Sequence, residues 1–137
     1  MQRHEWREVM SKVETVLLVD DMPDYLDTME INLPEGCRSV RAESAAEARG
    51  LIVTVRPSVA VIDIRLAENE PANRDGLELL KWIHKEYPGI VVIMISAYRE
   101  FEYAAESLAM GAEFFLRKPI QPDEFRKTVA KVMEKGA

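Results

Sequence analysis

The feature that most limits how this chain can fold is the run Val59-Ala60-Val61-Ile62-Asp63, where aliphatic side chains continue unbroken up to an aspartate. A strand with one wet face alternates in polarity. An unbroken apolar strand suits burial on both faces, as in a parallel sheet covered by helices. An aspartate ending such a strand sits where open α/β sheets bind ligands, in the crevice beyond the carboxyl ends of the strands. A lone aspartate there also serves to cap the following loop, so Asp63 gains meaning from its company. Asp20 and Asp21 follow the aliphatic run Thr15–Val19, Ser96 follows Ile90–Ile95, and Lys118-Pro119 follows Phe114-Phe115-Leu116. Four predicted strand ends thus carry three carboxylates, a hydroxyl and an amine.

Helical patterns separate these strands. Pro23 suits a first helical turn, where its missing N–H wastes no bond, and Met22, Leu26, Met29 and Leu33 form a stripe closed by Pro34-Glu35-Gly36. A short strand, Arg38 to Ala42, leads to Ser44-Ala-Ala-Glu47, a capping box. The second stripe is Ala45, Ala48, Leu51, Ile52 and Val55, ended by Pro57. A third helix is predicted from about Gly76 to Tyr87, with Leu79, Leu80, Ile83 and Tyr87 inward and Trp82 off the stripe. A fourth is predicted from about Glu100 to Met110, with Phe101, Ala104, Ala105 and Leu108 inward and Gly111 as its cap. In the last helix, starting at Pro122, Phe125, Val129 and Val132 face inward while Arg126, Lys127 and Lys131 face outward. Five strand–helix units imply an α/β fold with right-handed crossovers and helices on both faces. The expected architecture is a flavodoxin-like, doubly wound, five-stranded parallel sheet of order 2-1-3-4-5 with five helices, which makes the acidic pair and Asp63 neighbours at the switch point.

At 137 residues, 47% apolar and 31% charged, the chain suits one globular domain with its own core. The domain is expected over residues 15–137, with 1–14 as an N-terminal extension. In that extension Trp6, Val9, Met10 and Val13 recur at helical spacing. Two readings stand: a short amphipathic helix docked on this domain or across a homodimer, and a charged tail. No apolar run is long enough for a membrane helix, and residues 1–8 lack a signal-peptide core, so a cytoplasmic location is expected. A net charge of −6 argues against direct nucleic-acid binding by this domain. Cys37 is the only cysteine, which excludes an internal disulfide, and His4 and His84 lack partners at zinc-ligand spacing. Residues 67–74, polar and rich in breakers, read as a tolerated surface insertion or, alternatively, a lid.

In order and spacing, the acidic pair, Asp63, Ser96-Ala97 and Lys118-Pro119 resemble the receiver domain of two-component response regulators, the CheY-like superfamily. The resemblance runs from about Thr15 to the C-terminus. Crowded carboxylates call for protons or a cation, and a hard divalent ion such as Mg²⁺ suits oxygen donors. The resemblance implies metal ligation by Asp21 and Asp63, by Asp20 through water, and by the Arg65 backbone carbonyl. It makes Asp63 the phosphoacceptor, with Lys118 and Ser96 contacting phosphoryl oxygens and the Lys118-Pro119 bond cis. The donor would be a phosphohistidine on a sensor histidine kinase or phosphotransfer domain. Ser96 and Phe115 would couple phosphorylation to the face of helix four, strand five and helix five, although a plain core role for Phe115 is the alternative. Output would go to a downstream effector or to an output domain not in this chain. Arg65 and Tyr98, two positions after Asp63 and Ser96, would border the path of hydrolytic water, and their bulk implies a long-lived phosphoaspartate.

Three other readings fit the sequence less well. A haloacid-dehalogenase-type phosphatase needs a second aspartate two residues after its nucleophile, where this chain has Arg65. A flavin carrier wants a Ser/Thr/Gly-rich phosphate loop after the first strand, where Asp20-Asp21 would repel phosphate. An interaction module of the same fold that is never phosphorylated would have little use for the complete set of residues.

Overall fold

The computed structural model describes residues 14–67, 69–97 and 101–136. Five strands, β1 (Thr15–Val19), β2 (Arg38–Ala42), β3 (Val59–Asp63), β4 (Val91–Ser96) and β5 (Phe114–Arg117), form one parallel sheet of order β2-β1-β3-β4-β5. The helices are α1 (Pro23–Ile31), α2 (Ala45–Val55), α3 (Asp75–Glu86), α4 (Phe101–Ala109) and α5 (Pro122–Gly136). This is the flavodoxin-like arrangement expected from the strand–helix alternation. Predicted ends of β4, β5, α3 and α4 differ from those observed by one residue. Among the described residues, no helix is long and apolar enough to cross a membrane.

The unbroken apolar strands are buried on both faces because their side chains alternate between two cores. Leu17, Val19, Ala60, Ile62, Val92 and Met94 point to one side, where they meet Ala48 and Ile52 of α2 and Leu77, Leu79, Leu80 and Ile83 of α3. Val16, Leu18, Val59, Val61, Ile93 and Ile95 point to the other, against Leu26 and Met29 of α1 and Phe125, Val129 and Val132 of α5. Every residue of β3 is buried, so the register that carries Asp63 cannot slip by one residue without reversing both cores. Pro23 sits in the first turn of α1, and the Ser44 hydroxyl accepts from Glu47 N–H at the start of α2.

The fourth helix is rotated from its expected phase. Leu108, expected inward, is 50% exposed, and Ala105 is exposed too. Ser107 is fully buried instead, while Tyr103 and Met110 are half-buried against the α2–α3 core. Tyr103, Ser107 and Met110 share one face at i, i+4 and i+7. A serine in the middle of that face hides it from a count of apolar residues.

The stretch after β3 is pinned at both ends. Asn73 Oδ1 accepts from Leu66 N–H and Asp75 N–H, each at 3.0 Å, and the Gly76 N–H donates to the Ile64 carbonyl at 2.8 Å. Arg74 bonds Glu106 of α4, and its guanidinium lies 5.4 Å from the centre of the Tyr103 ring. Gly76 is packed directly against the end of β3. A Cβ there would stand 1.9 Å from the Asp63 carbonyl oxygen and 2.7 Å from Ile64 Cα.

Both contacts at Gly76 are backbone atoms and cannot swing aside. Gly76→Ala is therefore expected to destabilise by about 2 kcal/mol or more. Gly50 lies inside α2 with open space where a Cβ would go, so Gly50→Ala should stabilise by roughly 0.5–1 kcal/mol through helix propensity. Urea unfolding of both variants checks the contrast. Equal effects would contradict the tight packing behind Asp63.

Candidate functional site

Main-chain hydrogen bonds line up the carboxyl ends of the strands. Asp20 N–H donates to the Ala42 carbonyl at 3.1 Å, Ile64 N–H to Ile95 at 3.0 Å, and Lys118 N–H to Ser96 at 2.8 Å. Asp63 pairs in register with Ile95, and Ser96 with Arg117. The side chains at these ends converge on one edge of the sheet, as parallel topology requires. The Lys118-Pro119 peptide bond is cis.

Lys118 is the centre of the cluster. Its Nζ lies 2.8 Å from Asp20 Oδ2 and 3.2 Å from Asp63 Oδ2, with all three side chains at least 96% buried. Asp20 Oδ1 accepts from Met22 N–H at 2.9 Å, which binds the start of α1 to the same carboxylate. Asp20, Asp21 and Asp63 can each offer an oxygen so that the three lie within 4.8 Å of one another. Two carboxylates on one ammonium, with the half-buried Asp21 beside them, leave negative charge in excess.

That excess shows in the proton affinities. Burial, followed by the charge of Asp20, pushes the Asp63 carboxyl up to about 7 even though Lys118 pulls against the shift. Burial also raises Asp20, outweighing the ammonium beside it. For Lys118 burial lowers the affinity, but Asp63 and Asp20 together more than reverse it and keep the ammonium charged.

The residues singled out in the sequence fall into three groups. Asp20, Asp21, Asp63 and Lys118 come together as described, and Ser96 is buried at the end of β4, one strand from Asp63. Arg65 is 8% exposed and so does not project into solvent, while Phe115 is half-buried against the α2–α3 core. Tyr98 and the stripe Trp6, Val9, Met10 and Val13 lie outside the described residues. Sequence reasoning missed Tyr25. Its ring centre is 3.7 Å from Lys118 Nζ, and its position one helical turn after Asp21 was the available signal.

The family model for the response regulator receiver domain matches residues 16–130. The chain belongs to that family. It is 33% identical over 118 residues to the response regulator protein PilR of Pseudomonas aeruginosa, covering 85% of this chain and 25% of that protein. It thus spans about a quarter of the length of the curated relatives it matches. Its fold superposes with a TM-score of 0.81 on a CheY-like receiver domain protein from Methanospirillum hungatei, at 29% identity over 90% of this chain and 96% of the other. A beryllofluoride-activated NtrC4 receiver domain dimer matches with a TM-score of 0.80, at 27% identity over 90% of this chain and 98% of the other.

The raised carboxyl affinities have a consequence for stability. Folded Asp63 titrates at about 7 against an ordinary value of 3.8, so the folded state holds that proton more tightly than the unfolded state. The stability it contributes is complete below the unfolded value and is lost as pH rises through about 7. Asp20 acts in the same direction. In chelator, the wild-type Tm should therefore fall between pH 5 and pH 7.5, and Asp63→Asn should flatten that fall. Calorimetry at the two pH values measures it, and an equally steep fall in both proteins would contradict the assignment.

Proposed function

We propose that this receiver domain, which we take to span residues 15–137, accepts a phosphoryl group on Asp63 from the phosphohistidine of a sensor histidine kinase or phosphotransfer domain. The observation that carries the reading is the buried Asp63 carboxyl, set against Lys118 in a cluster where negative charge is in excess. Mg²⁺ fits this cluster. Its donors are hard oxygens, which Mg²⁺ prefers while keeping several waters, and Asp20, Asp21 and Asp63 can each offer one within 4.8 Å of the others. By the family resemblance, Asp21 and Asp63 would ligate the ion directly and Asp20 through water. The Arg65 carbonyl would complete the protein's share. Bound there, the ion would supply positive charge against the oxygens of an incoming phosphoryl group.

The chain's own residues do the rest. A carboxylate oxygen of Asp63 attacks phosphorus in line; the bond from phosphorus to the donor imidazole nitrogen breaks, leaving an acyl phosphate. Lys118, already beside Asp63, meets one phosphoryl oxygen and the Ser96 hydroxyl another. Drawing Ser96 inward frees space toward Phe115 on the neighbouring strand and reshapes the face of α4, β5 and α5. That face carries exposed apolar side chains, Leu108 at 50% with Ala105 and Ala109, so it suits contact with an output domain, an effector or a second copy of the chain. The NtrC4 receiver dimer is a precedent for the last. Burial of Arg65 beside the phosphoacceptor favours its obstructing hydrolytic water. In this reading the domain assists only its own phosphorylation and dephosphorylation.

Intact-mass measurement after incubation with a small phosphodonor and Mg²⁺ should show one added phosphoryl group, absent in Asp63→Asn and in chelator. Labelling that persists in Asp63→Asn would refute the phosphoacceptor. No labelling of the wild type would favour an unphosphorylated interaction module.

A further inference from the structure

The first turn of α1 is built on Asp20. Met22 N–H donates to Asp20 Oδ1 at 2.9 Å, and the Tyr25 and Leu26 N–H groups donate to the Met22 carbonyl at 3.0 and 3.3 Å. These bonds fix where Tyr25 leaves the helix relative to the acidic cluster. Its ring lies over Lys118 Nζ, with the nitrogen 3.7 Å from the ring centre. The Lys118 side chain is 3% exposed. Its ammonium therefore meets carboxylate oxygens from Asp20 and Asp63 and the aromatic face of Tyr25.

We propose that Tyr25 is a positioning residue for Lys118: its ring face holds the ammonium beside Asp63 Oδ2 and keeps water off it. The inference rests on the phosphoacceptor reading for its purpose, though not for its geometry. A lysine ammonium is a strongly hydrated charge on a flexible stem with three rotatable donors. Asp20 and Asp63 both hold it, at 2.8 and 3.2 Å. During transfer the Asp63 carboxylate becomes an acyl phosphate, and phosphoryl oxygens take its place as partners of the ammonium. Asp20 competes with them for it. Attraction to an aromatic face depends on the ring quadrupole and not on the state of Asp63. It persists while the carboxylate changes, so Lys118 stays where a phosphoryl oxygen arrives. The face supplies this effect and the phenolic hydroxyl does not, which separates two substitutions.

The test compares wild type, Tyr25→Phe and Tyr25→Leu in the full chain with Mg²⁺. The first readout is the proton NMR shift of the Lys118 εCH₂ group, which a ring face moves upfield. The second is the rate of phosphorylation by phosphoramidate, followed by intact mass. Wild type and Tyr25→Phe should share the upfield shift and phosphorylate at similar rates. Tyr25→Leu, which keeps apolar bulk, should lose the shift and slow by roughly tenfold, toward the upper end for one desolvated cation–π contact. A wild-type Lys118 signal at an ordinary shift overturns the proposal. So does Tyr25→Leu phosphorylating at the wild-type rate, or Tyr25→Phe as slow as Tyr25→Leu. An upfield shift in a wild type that takes up no phosphoryl group sinks the phosphoacceptor reading and the positioning role with it, leaving only the contact.

Discussion

The buried contact of Lys118 with Asp20 and Asp63 is the interaction on which the site depends. Removing Lys118 would leave buried carboxylates without a counter-charge, a change that costs about 3–5 kcal/mol for a buried pair. The arrangement persists because three strands deliver its members separately. Asp20 immediately follows β1, Asp63 ends β3, and Lys118 immediately follows β5. No local segment could bring these residues together. The order β2-β1-β3-β4-β5 sets the two aspartates on adjacent strands and lets Lys118 reach across from the edge strand.

The backbone behind this contact is tightly held. Gly76 leaves no gap behind the Asp63 carbonyl, and Asn73 ties Leu66 to the start of α3. The Asp63 end of β3 thus has rigid backbone on one side and a charged cluster on the other. Rigid elements hold reactive groups more accurately than loops do. Arg74, bonded to Glu106 and stacked over Tyr103, links this region to α4. As an exposed ion pair its stabilising effect is small, so α4 is held mainly by the packing of Tyr103, Ser107 and Met110.

Much of this was legible in the sequence, for identifiable reasons. Unbroken apolar runs such as Val59–Ile62 announced strands buried on both faces, and their end residues named the cluster of Asp20, Asp21, Asp63 and Lys118. Where periodicity carried no information, reading failed. The inner face of α4 centres on Ser107, so an apolar count turned the helix the wrong way and placed the exposed Leu108 inside. The Asn73 clamp joins backbone groups on either side of a loop, a contact that no repeat encodes. Tyr25 lay just off the stripe of Leu26 and Met29, and its contact is with a residue 93 positions away. Only the tertiary fold makes that pair neighbours.

The central claim is that the strand ends gather more buried carboxylate than Lys118 can neutralise, which prepares Asp63 for a divalent cation and then for a phosphoryl group. Carbon-13 NMR titration of the Asp63 side-chain carboxyl, with and without Mg²⁺, addresses it directly. Without the ion the midpoint should lie near 7, where burial and Asp20 place it. Saturating Mg²⁺ should move it down by at least about two pH units, since a bound cation favours the charged form. A midpoint near the ordinary value of 3.8 in the metal-free protein, unmoved by Mg²⁺, would contradict the account.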